Sequence, residues 1–368
     1  MYLICNKADL IKGVGTVSKA VSVKTTMPIL ECILMEASGG ELTLVGNDMD
    51  LGIQTTIEAR IKEEGLIAVN AKLFSEIIRK LPDDDVYIET NDRSGITIRC
   101  AKSKFTVPGQ DGTQFPALPK VESENGFVIS QGTFKDMIRQ TIFSIAAEDS
   151  GRPVLTGELI DVRGGYLHLV AVDGFRISMR RTAINSPIDF KVIVPGKALS
   201  EINKILESEE DAMMQVVFTG KYIMFTMNNA IVVTRLLDGD YLQYERNLNM
   251  TFTTSVRVDR RELLDSIDRA ALISRESKNS PVRLELTNEL MIITSNTERG
   301  SAYEEVPITL NGNGMSVAFN PRYYLEALRS IDDEQIEILY ASSLNPCIIQ
   351  ATEGDDYKYF ILPIRLHS

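Results

Sequence analysis

The segment VNAKLFSEIIRKL at residues 69–81 decides the fold, because a version of it occurs three times in the chain. It returns as VPGKALSEINKIL at residues 194–206 and as FNPRYYLEALRSI at residues 319–331, each copy 125 residues after the one before. A period of this length is too long for a solenoid repeat and matches the size of a domain. The 368 residues therefore contain three related domains.

Each copy has the pattern of a strand that leads through a cap into an amphipathic helix. In the first copy, Phe74, Ile77, Ile78 and Leu81 recur at helical spacing, so one face of the predicted helix is apolar. Every copy also keeps two basic positions seven residues apart, which lie on one face of a helix. These basic pairs are Lys72 with Arg79, Lys197 with Lys204, and Arg322 with Arg329.

Each third also opens with a short strand and another helix pattern, at residues 7–20, 133–147 and 259–275. Runs of alternating apolar and polar residues fill the rest of each third, as antiparallel strands do. The sequence thus predicts an α+β fold of three repeated domains, each with two helices packed on antiparallel sheets. Turn-rich segments place the domain boundaries, and we predict domains at 1–125, 126–250 and 251–368.

A polar position repeats after one strand of each domain. The strands LTLV, LHLV and LMII are followed, six residues after their first leucine, by Asp48, Asp173 and Asn296. This recurrence of a polar residue at one spacing is a further sign of the threefold repeat.

Composition favours a soluble cytoplasmic protein. The chain is 44% hydrophobic and 24% charged, and no apolar run reaches the roughly 18 residues that a membrane span needs. The N-terminus has no basic region followed by an apolar one. Cys5, Cys32, Cys100 and Cys347 are isolated from one another without metal-ligand spacing, so we expect buried thiols and no metal.

The net charge of −12 is unusual for a nucleic-acid-binding protein, but the charge is unevenly distributed. For the charge count, the six predicted helices are taken as residues 7–20, 70–81, 132–147, 196–207, 259–275 and 321–330. They hold sixteen Lys or Arg and ten Asp or Glu residues, a net charge of +6. The remainder of the chain then carries −18. The helices are positive and the rest of the protein is acidic.

The sequence carries only weak signals of a catalytic site. The two histidines, His168 and His367, cannot build a catalytic triad or a histidine metal cluster. Gly13 and Gly15 lie inside a helix pattern without a third glycine, so we predict that they allow close helix packing and do not bind phosphate. We expect no cofactor and no catalytic residue.

Three short motifs and the threefold repeat carry a family resemblance. VDGFR at residues 172–176, LDGDY at 237–241 and LPIRL at 362–366 resemble the bacterial DNA polymerase III beta subunit family, the sliding clamps. The resemblance covers the whole chain. It implies a head-to-tail homodimer that closes a six-domain ring around double-stranded DNA of any sequence, with helices lining the hole and sheets outside.

The resemblance also implies a function without catalysis. The ring would tether the replicative DNA polymerase and confer processivity, in the cytoplasm and on the nucleoid. Two alternatives remain: a nucleotide- or metabolite-dependent enzyme on a repeated α+β fold, and a three-domain scaffold without DNA. A clamp needs no bound nucleotide and is a dimer in solution, which distinguishes it from the enzyme.

Basic residues of the helices would face DNA through screened, water-mediated phosphate contacts, and some would pair with acids instead. Lys24 enters this group through a loop that resembles a DNA-contacting loop of the family. The DNA-facing set is Lys12, Lys19, Lys24, Arg79, Lys80, Lys135, Arg139, Lys197, Lys204, Arg322 and Arg329.

The resemblance places the dimer interface between the first domain of one chain and the third domain of the other. Phe105 and Val107 would meet Leu272 and Ile273 of the partner subunit. Basic Lys72 and Arg99 near acidic Glu304 and Glu305 would add pairs at the rim, each worth about 0–1 kcal/mol if exposed.

The resemblance further implies a hydrophobic cleft for short linear peptides of the polymerase, the clamp loader and repair proteins. Leu242 stands where the family commonly has proline and Phe175 where it commonly has histidine, and His367 and Ser368 extend past the usual end. The lining would be Leu155, Val172, Gly174, Phe175, Arg176, Ile177, Leu242, Arg246, Leu362, Pro363, Ile364 and Arg365, with Asn320 and Tyr323 at the rim.

Overall fold

The computed structural model describes most of the chain and divides it into two compact units. The first unit is Met1–Thr133 with Ser200–Leu236, and the second is Phe134–Leu199 with Leu237–Ser368. The predicted central domain contributes residues to both units, and the three domain boundaries stay a prediction. The described residues are 1–22, 25–91, 94–123, 125–186, 188–209, 211–248, 250–274 and 281–365.

Six predicted helices are confirmed, and their ends differ from prediction by a few residues. The α-helices of the described residues are α1 (Lys7–Val17), α2 (Ala71–Lys80), α3 (Gln131–Thr141), α4 (Gly196–Asn203), α5 (Glu245–Leu248), α6 (Arg260–Ser274) and α7 (Pro321–Ser330).

The strands are short and pair with antiparallel neighbours throughout. The first thirteen are β1 (Tyr2–Cys5), β2 (Cys32–Ser38), β3 (Glu41–Asn47), β4 (Leu51–Glu58), β5 (Arg60–Glu63), β6 (Gly65–Asn70), β7 (Val86–Thr90), β8 (Gly95–Cys100), β9 (Ser103–Asp111), β10 (Gly126–Ser130), β11 (Gly157–Arg163), β12 (Tyr166–Val172) and β13 (Arg176–Ala183). The remainder are β14 (Phe190–Pro195), β15 (Met213–Phe218), β16 (Tyr222–Thr226), β17 (Ala230–Arg235), β18 (Thr254–Asp259), β19 (Val282–Leu286), β20 (Leu290–Thr297), β21 (Gly300–Gly312), β22 (Met315–Phe319), β23 (Gln335–Tyr340), β24 (Cys347–Ala351) and β25 (Tyr357–Ile361).

One sheet of 13 strands runs through the first unit, in the order β10-β15-β16-β17-β4-β3-β2-β6-β9-β8-β7-β1-β5. Within it β17 pairs with β4, and Val232 lies opposite Ile53. This pair joins strands of the first and central thirds of the chain. The predicted α+β class with helices on antiparallel sheets is confirmed here, since α1 packs on β3 and β4.

A sheet of 12 strands runs through the second unit, in the order β14-β11-β12-β13-β25-β24-β23-β18-β21-β20-β19-β22. Here β13 pairs with β25, and Ile177 lies opposite Phe360. The C-terminal strand therefore completes the sheet that begins in the central third. α6 packs on β18, β19, β20 and β21 and against α7, and Leu263, Ile267 and Leu328 are buried there.

The repeated segment folds as its pattern predicts. β6 ends at Asn70, whose side chain caps α2 by accepting a hydrogen bond from the Leu73 amide at 3.1 Å. Phe74, Ile77 and Ile78 are buried on the inner face of that helix. In the third copy Asn320 caps α7 in the same way, and Pro321 occupies its first turn.

The repeated acid makes the same turn in two of the domains. Asp48 Oδ1 accepts hydrogen bonds from the amides of Asp50 at 3.1 Å and Leu51 at 2.7 Å, and this turn joins β3 to β4. Asp173 makes the corresponding turn between β12 and β13. The recurrence of Asp at this spacing therefore has a structural cause, because its side chain replaces backbone hydrogen-bond partners in the turn.

The two glycines of α1 have different surroundings. A Cβ at Gly13 would lie 2.9 Å from Leu44 Cδ1 and 3.2 Å from Ile57 Cγ2, so its absence lets α1 approach the sheet. A Cβ at Gly15 would have no atom within 4 Å. Close packing is thus confirmed for Gly13 and is wrong for Gly15.

Two helices end earlier than predicted, and one short helix was not predicted. The helix predicted at 132–147 ends at Thr141, whose hydroxyl donates to the carbonyl of Met137 at 2.8 Å, and continues as a 3₁₀ turn to Ser144. The helix predicted at 196–207 ends at Asn203. The short helix α5 was not predicted, because its four residues are too few to show a helical period.

All four cysteines are free and buried, as predicted. Burial raises the pKa of the Cys5 thiol to about 12, so it stays protonated and packs as a small apolar side chain. Among the helices that the structure describes, none has the length and apolar character required to cross a membrane.

Candidate functional site

The turn between β12 and β13 carries the VDGFR motif. Asp173 Oδ1 accepts hydrogen bonds from the amides of Phe175 at 2.8 Å and Arg176 at 3.0 Å. Gly174 has a φ of +96°, in the left-handed region that favours glycine. The turn leaves the Phe175 ring 59% exposed and directs the Arg176 side chain into the protein.

The C-terminal segment lies beside this turn. β25 pairs with β13 until Ile361 lies opposite Arg176. Beyond the strand, the amide of Leu362 donates to the carbonyl of Phe175 at 2.9 Å, and the amide of Ile364 donates to the carbonyl of Ala318 at 2.7 Å. Backbone hydrogen bonds thus hold Leu362 against the VDGFR turn and Ile364 against β22.

A pocket of about 130 Å³ opens where these two segments meet. Seven predicted cleft residues line it, and most of its surface is apolar. The structure adds Pro346 and Phe360, which sequence reasoning missed. Phe360 is two residues before Leu362 in an extended segment, so alternation was a usable signal for it, whereas Pro346 comes from a distant loop. The lining is Val172, Gly174, Phe175, Arg176, Ile177, Leu242, Pro346, Phe360 and Leu362.

Two other predicted residues lie at the N-terminus of α7. Asn320 caps the helix by accepting from the Arg322 amide at 3.0 Å. The Tyr323 ring stacks on Phe175, with ring centroids 6.3 Å apart and an interplanar angle of 22°. Tyr323 therefore extends the aromatic surface that begins at the pocket.

Five predicted cleft residues do not line this pocket. Leu155 packs against the apolar core that contains Val172, and Arg246 is exposed on α5. Pro363 and Ile364 are half-buried and Arg365 is exposed. Their part in peptide binding stays a prediction.

Arg176 is the charged group of the pocket, and its hydrogen bonds are satisfied within the chain. Its Nε donates to Asp173 Oδ2 at 2.9 Å, and its two terminal nitrogens donate to Glu326 Oε2 and to the carbonyl of Phe143. Its guanidinium carbon lies 4.5 Å from the centre of the Tyr323 ring. Because it has this many partners, the Arg176 side chain is held in one position and forms a fixed part of the pocket lining.

A polar cluster that sequence reasoning missed lies at the end of the segment bearing Leu242. The Tyr244 hydroxyl donates to Asp161 Oδ2 at 2.8 Å, and Lys191 Nζ lies 3.2 Å from the same oxygen. Glu245 accepts from Lys191 at 2.7 Å and from Arg163 at 3.1 Å. The Asp161 side chain is fully buried, so these cations compensate its charge.

The same segment is held at a second point. The Tyr241 hydroxyl lies 3.1 Å from the carbonyl of Val170 and 3.3 Å from that of Gly157. Leu242, between the two anchored tyrosines, is 48% exposed and lines the pocket. These contacts position Leu242, and their members are too far apart in the chain for a sequence motif to reveal them.

Glu158 is a buried acid on β11, next to the pocket core. Its side chain has no exposed surface, and its Oε2 accepts a hydrogen bond from Thr141 at 2.8 Å. Its Oε1 has no hydrogen-bond partner among the described residues. Burial raises the pKa of Glu158 from about 4.5 to about 8, and the Thr141 hydrogen bond opposes this shift.

We expect Glu158 to make stability depend on pH. The folded state keeps a proton that the unfolded state loses above about pH 4.5, so the free energy of unfolding falls as the pH rises to about 8. The slope is at most about 1.4 kcal/mol per pH unit. Glu158→Gln removes this slope in denaturant melts at pH 5.5, 7 and 8.5, and the exposed Glu76→Gln keeps it. Equal slopes in the two variants would contradict the assignment.

Three predicted DNA-facing residues are exposed on the first two helices. Lys12 lies on α1, and Arg79 and Lys80 lie at the end of α2, which packs beside α1. Arg79 donates to the Ser75 hydroxyl at 3.0 Å. None of the three forms an ion pair with an acid of the described part of the chain.

Lys19 and Lys204 come together in the first unit. Lys19 Nζ donates to the carbonyl of Gly15 at 2.9 Å, and Lys204 Nζ lies 2.8 Å from Glu201 Oε1. Burial lowers the pKa of Lys19 and Lys204 adds to this effect, while Glu201 opposes it. Two predicted DNA-facing residues, of which Lys204 is a repeated basic position, thus contribute to one electrostatic environment.

The basic residues of the second unit are mostly paired with acids. Lys135 is half-buried and Lys197 is exposed. Lys24, which belongs to the first unit's part of the chain, lies outside the described residues. An exposed pair of this kind is worth about 0–1 kcal/mol, so a phosphate can replace the acid. The pairs are Arg139 with Asp136 and Asp332, Arg322 with Glu326, and Arg329 with Asp268.

Besides the terminal strands β5, β10, β14 and β22 of the two sheets, β9 and β21 each have a stretch of edge that no described strand covers. β9 pairs with β8 over residues 103–108 and with β6 only over residues 109–111. β21 pairs with β20 over residues 300–307 and with β18 only over residues 308–312. An unpaired strand edge is a template for a second chain.

The predicted interface residues lie on or beside these edges. Phe105 on β9 is 40% exposed and Leu272 on α6 is 56% exposed. Ile273 is half-buried, with its Cδ1 3.9 Å from the position of a Cβ on Gly300 of β21. Val107 is only 6% exposed because it faces the interior of its own unit, so little of its surface remains for a partner.

Comparison with known proteins matches all three thirds of the chain to one family. Models of the N-terminal, central and C-terminal domains of the DNA polymerase III beta subunit match residues 1–119, 128–243 and 247–365. The beta sliding clamp of Halalkalibacterium halodurans is 32% identical over 382 aligned positions, and the match covers 100% of both chains.

Solved structures agree over the full length. The DNA polymerase sliding clamp of Bacillus subtilis superimposes with a TM-score of 0.96 at 31% identity. A protein from Eubacterium rectale assigned as a DNA polymerase III beta subunit superimposes with a TM-score of 0.95 at 43% identity. Each match covers 100% of both chains. The chain therefore belongs to the DNA polymerase III beta subunit family, the beta sliding clamps.

Proposed function

We propose that this protein encircles duplex DNA as a head-to-tail homodimeric ring and tethers the replicative polymerase. The observation that carries the proposal is the family match of all three domains in their family order. The enzyme alternative has no support from the relatives, which are named sliding clamps. The protein would act in the cytoplasm, on the nucleoid.

Cationic helices suit a sliding function. Exposed Lys12, Arg79 and Lys80 would contact phosphates, which are the same at every base pair and give affinity without sequence readout. Pairs such as Arg329 with Asp268 weaken each contact, because an acid competes with the phosphate. Weak contacts inside a closed ring let the protein move along DNA without dissociating.

Ring closure would use the open edges of β9 and β21. β9 of one subunit would pair with β21 of the partner subunit, and Phe105 would pack near the α6 residues Leu272 and Ile273 of the partner subunit. Two identical heterologous contacts close a ring. Rim pairs involving Glu304 would add little, because Arg269 of the same chain already binds it and lowers its pKa.

The pocket at the C-terminal segment would bind short linear peptides of the polymerase, the clamp loader and repair proteins. Its apolar lining fits leucine and phenylalanine side chains, each worth about 1.5–3 kcal/mol on burial. After the costs of association, such a peptide binds with modest affinity and exchanges readily. One pocket can then serve several partners in turn.

Retention on circular DNA tests the proposal. Loaded protein should stay on a nicked plasmid through gel filtration and leave when the plasmid is cut once, because cutting opens an end without changing any local contact. An enzyme or a simple DNA-binding protein would show equal retention on circular and linear DNA, and that result would reject the clamp.

Charge reversal tests the DNA-facing helices. A triple variant with Lys12→Glu, Arg79→Glu and Lys80→Glu should lower polymerase processivity. It should also reduce the slope of the logarithm of the duplex-binding constant against the logarithm of salt concentration by up to about 3. The matched control reverses Lys120, Lys221 and Arg235, three exposed cations outside the helices. Equal loss in both variants would show a general charge effect and reject the assignment.

A further inference from the structure

A line of ion pairs connects a predicted DNA-facing residue with the wall of the peptide pocket. Glu326 on α7 accepts from Arg322 through Oε1, at 2.8 Å, and from Arg176 through Oε2. The Arg322 side chain is 73% exposed, whereas that of Arg176 is 5% exposed. One carboxylate thus divides its charge between a solvent-facing cation and a buried pocket cation.

Glu326 also links two elements that form the aromatic edge of the pocket. Arg176 comes from β13, and its guanidinium lies on the ring of Tyr323 from α7. Tyr323 in turn stacks on Phe175 of the pocket. A stronger bond from Glu326 to Arg176 would hold α7 and the β12–β13 turn more rigidly, and with them the Phe175–Tyr323 stack.

We propose that Glu326 is a positioning residue of the peptide pocket and that DNA strengthens peptide binding by drawing Arg322 away from it. This inference rests on the proposed function. A DNA phosphate competes with Glu326 for the Arg322 guanidinium, since both are anions that accept its hydrogen bonds. When a phosphate binds Arg322, Glu326 loses that partner and pairs with Arg176 alone. Partners would then bind preferentially to rings that are already on DNA.

The expected coupling is modest, because the Arg322–Glu326 pair is exposed at one end. A pair of this kind is worth up to about 1 kcal/mol, which corresponds to about a threefold to fivefold change in affinity. Coupling is reciprocal, so the peptide should raise the affinity for duplex DNA by the same factor.

The test measures the affinity of a fluorescent polymerase-derived peptide for the intact dimer, with and without saturating short duplex DNA at low salt. The wild-type protein should bind the peptide about threefold more tightly with DNA. Arg322→Gln should bind as tightly without DNA as the wild type does with it, and DNA should change this affinity little. Glu326→Gln should bind more weakly and show no response to DNA.

Arg329→Gln is the matched control. Arg329 lies on the same helix and pairs with Asp268 of α6, whereas Arg322 pairs with Glu326, the acid that also binds Arg176. At saturating DNA this variant should keep the threefold response. An unchanged response in Arg322→Gln, or a wild-type affinity that is equal with and without DNA, would overturn the coupling while leaving the clamp intact. Absence of any peptide binding would instead reject the proposed pocket and, with it, this inference.

Discussion

Leu272→Asp should convert the dimer into folded monomers. Leu272 is 56% exposed on α6, beside the open edge of β21, where a partner subunit would cover it. The substitution places a carboxylate in both contacts of a symmetric ring, and burying an unpaired charge costs several kcal/mol per site. Sedimentation velocity should show the monomer mass, 41.0 kDa, at micromolar concentration.

Val128→Asp is the control for this prediction. Val128 is 51% exposed on β10 and lies outside the predicted interface. The Val128→Asp variant should remain a dimer and stay on circular DNA, whereas the Leu272→Asp variant should not be retained on it at all. The milder pair Leu272→Ala with Ile273→Ala should also favour monomers. A stable dimer in all these variants would place the subunit contact elsewhere.

Leu362→Ala should weaken peptide binding by about tenfold or more. Leu362 is 41% exposed at the pocket mouth, where a bound apolar side chain would bury it. Losing the burial of a leucine costs about 1.5–3 kcal/mol, and 1.4 kcal/mol is a factor of ten. Fluorescence anisotropy with a polymerase-derived peptide measures the change, and sedimentation should still show the dimer.

Leu66→Ala gives the matched comparison, because Leu66 is the same residue type with 36% exposure and lies on β6 of the other unit. It should bind the peptide with wild-type affinity. Adding Ile364→Ala to Leu362→Ala tests whether the half-buried Ile364 belongs to the site. Full peptide affinity in the double variant would move the partner site away from the C-terminal segment.

Local features of the chain were accurately predicted from sequence. The helix in residues 69–81 depends on the Asn70 cap and on apolar residues at helical spacing, all within one short segment. The turn at Asp173 was not predicted, although it depends only on that side chain and on the adjacent Gly174. Interactions between residues close in the chain can be predicted from sequence, because the residue type and its position together specify the backbone conformation.

The ends of helices and small elements were harder to predict. α3 stops at Thr141, whose single hydroxyl proton has both a helix carbonyl and the buried Glu158, a residue 17 positions away, as possible acceptors. Helix propensity alone does not contain this partner. For the same reason the buried Glu158 could not be recognised among the chain's many acids.

Sequence by itself determined the threefold repeat, the strand–cap–helix units, the positive helices and the segments that meet at the pocket. Only the tertiary structure decided which side chains line that pocket, that Pro346 and Phe360 join it, and that Arg176 shares Glu326 with Arg322. Arg176 and Glu326 are 150 residues apart in the chain. Periodicity and capping act over a few residues, whereas the distance between two remote side chains depends on how the whole sheet pairs and packs.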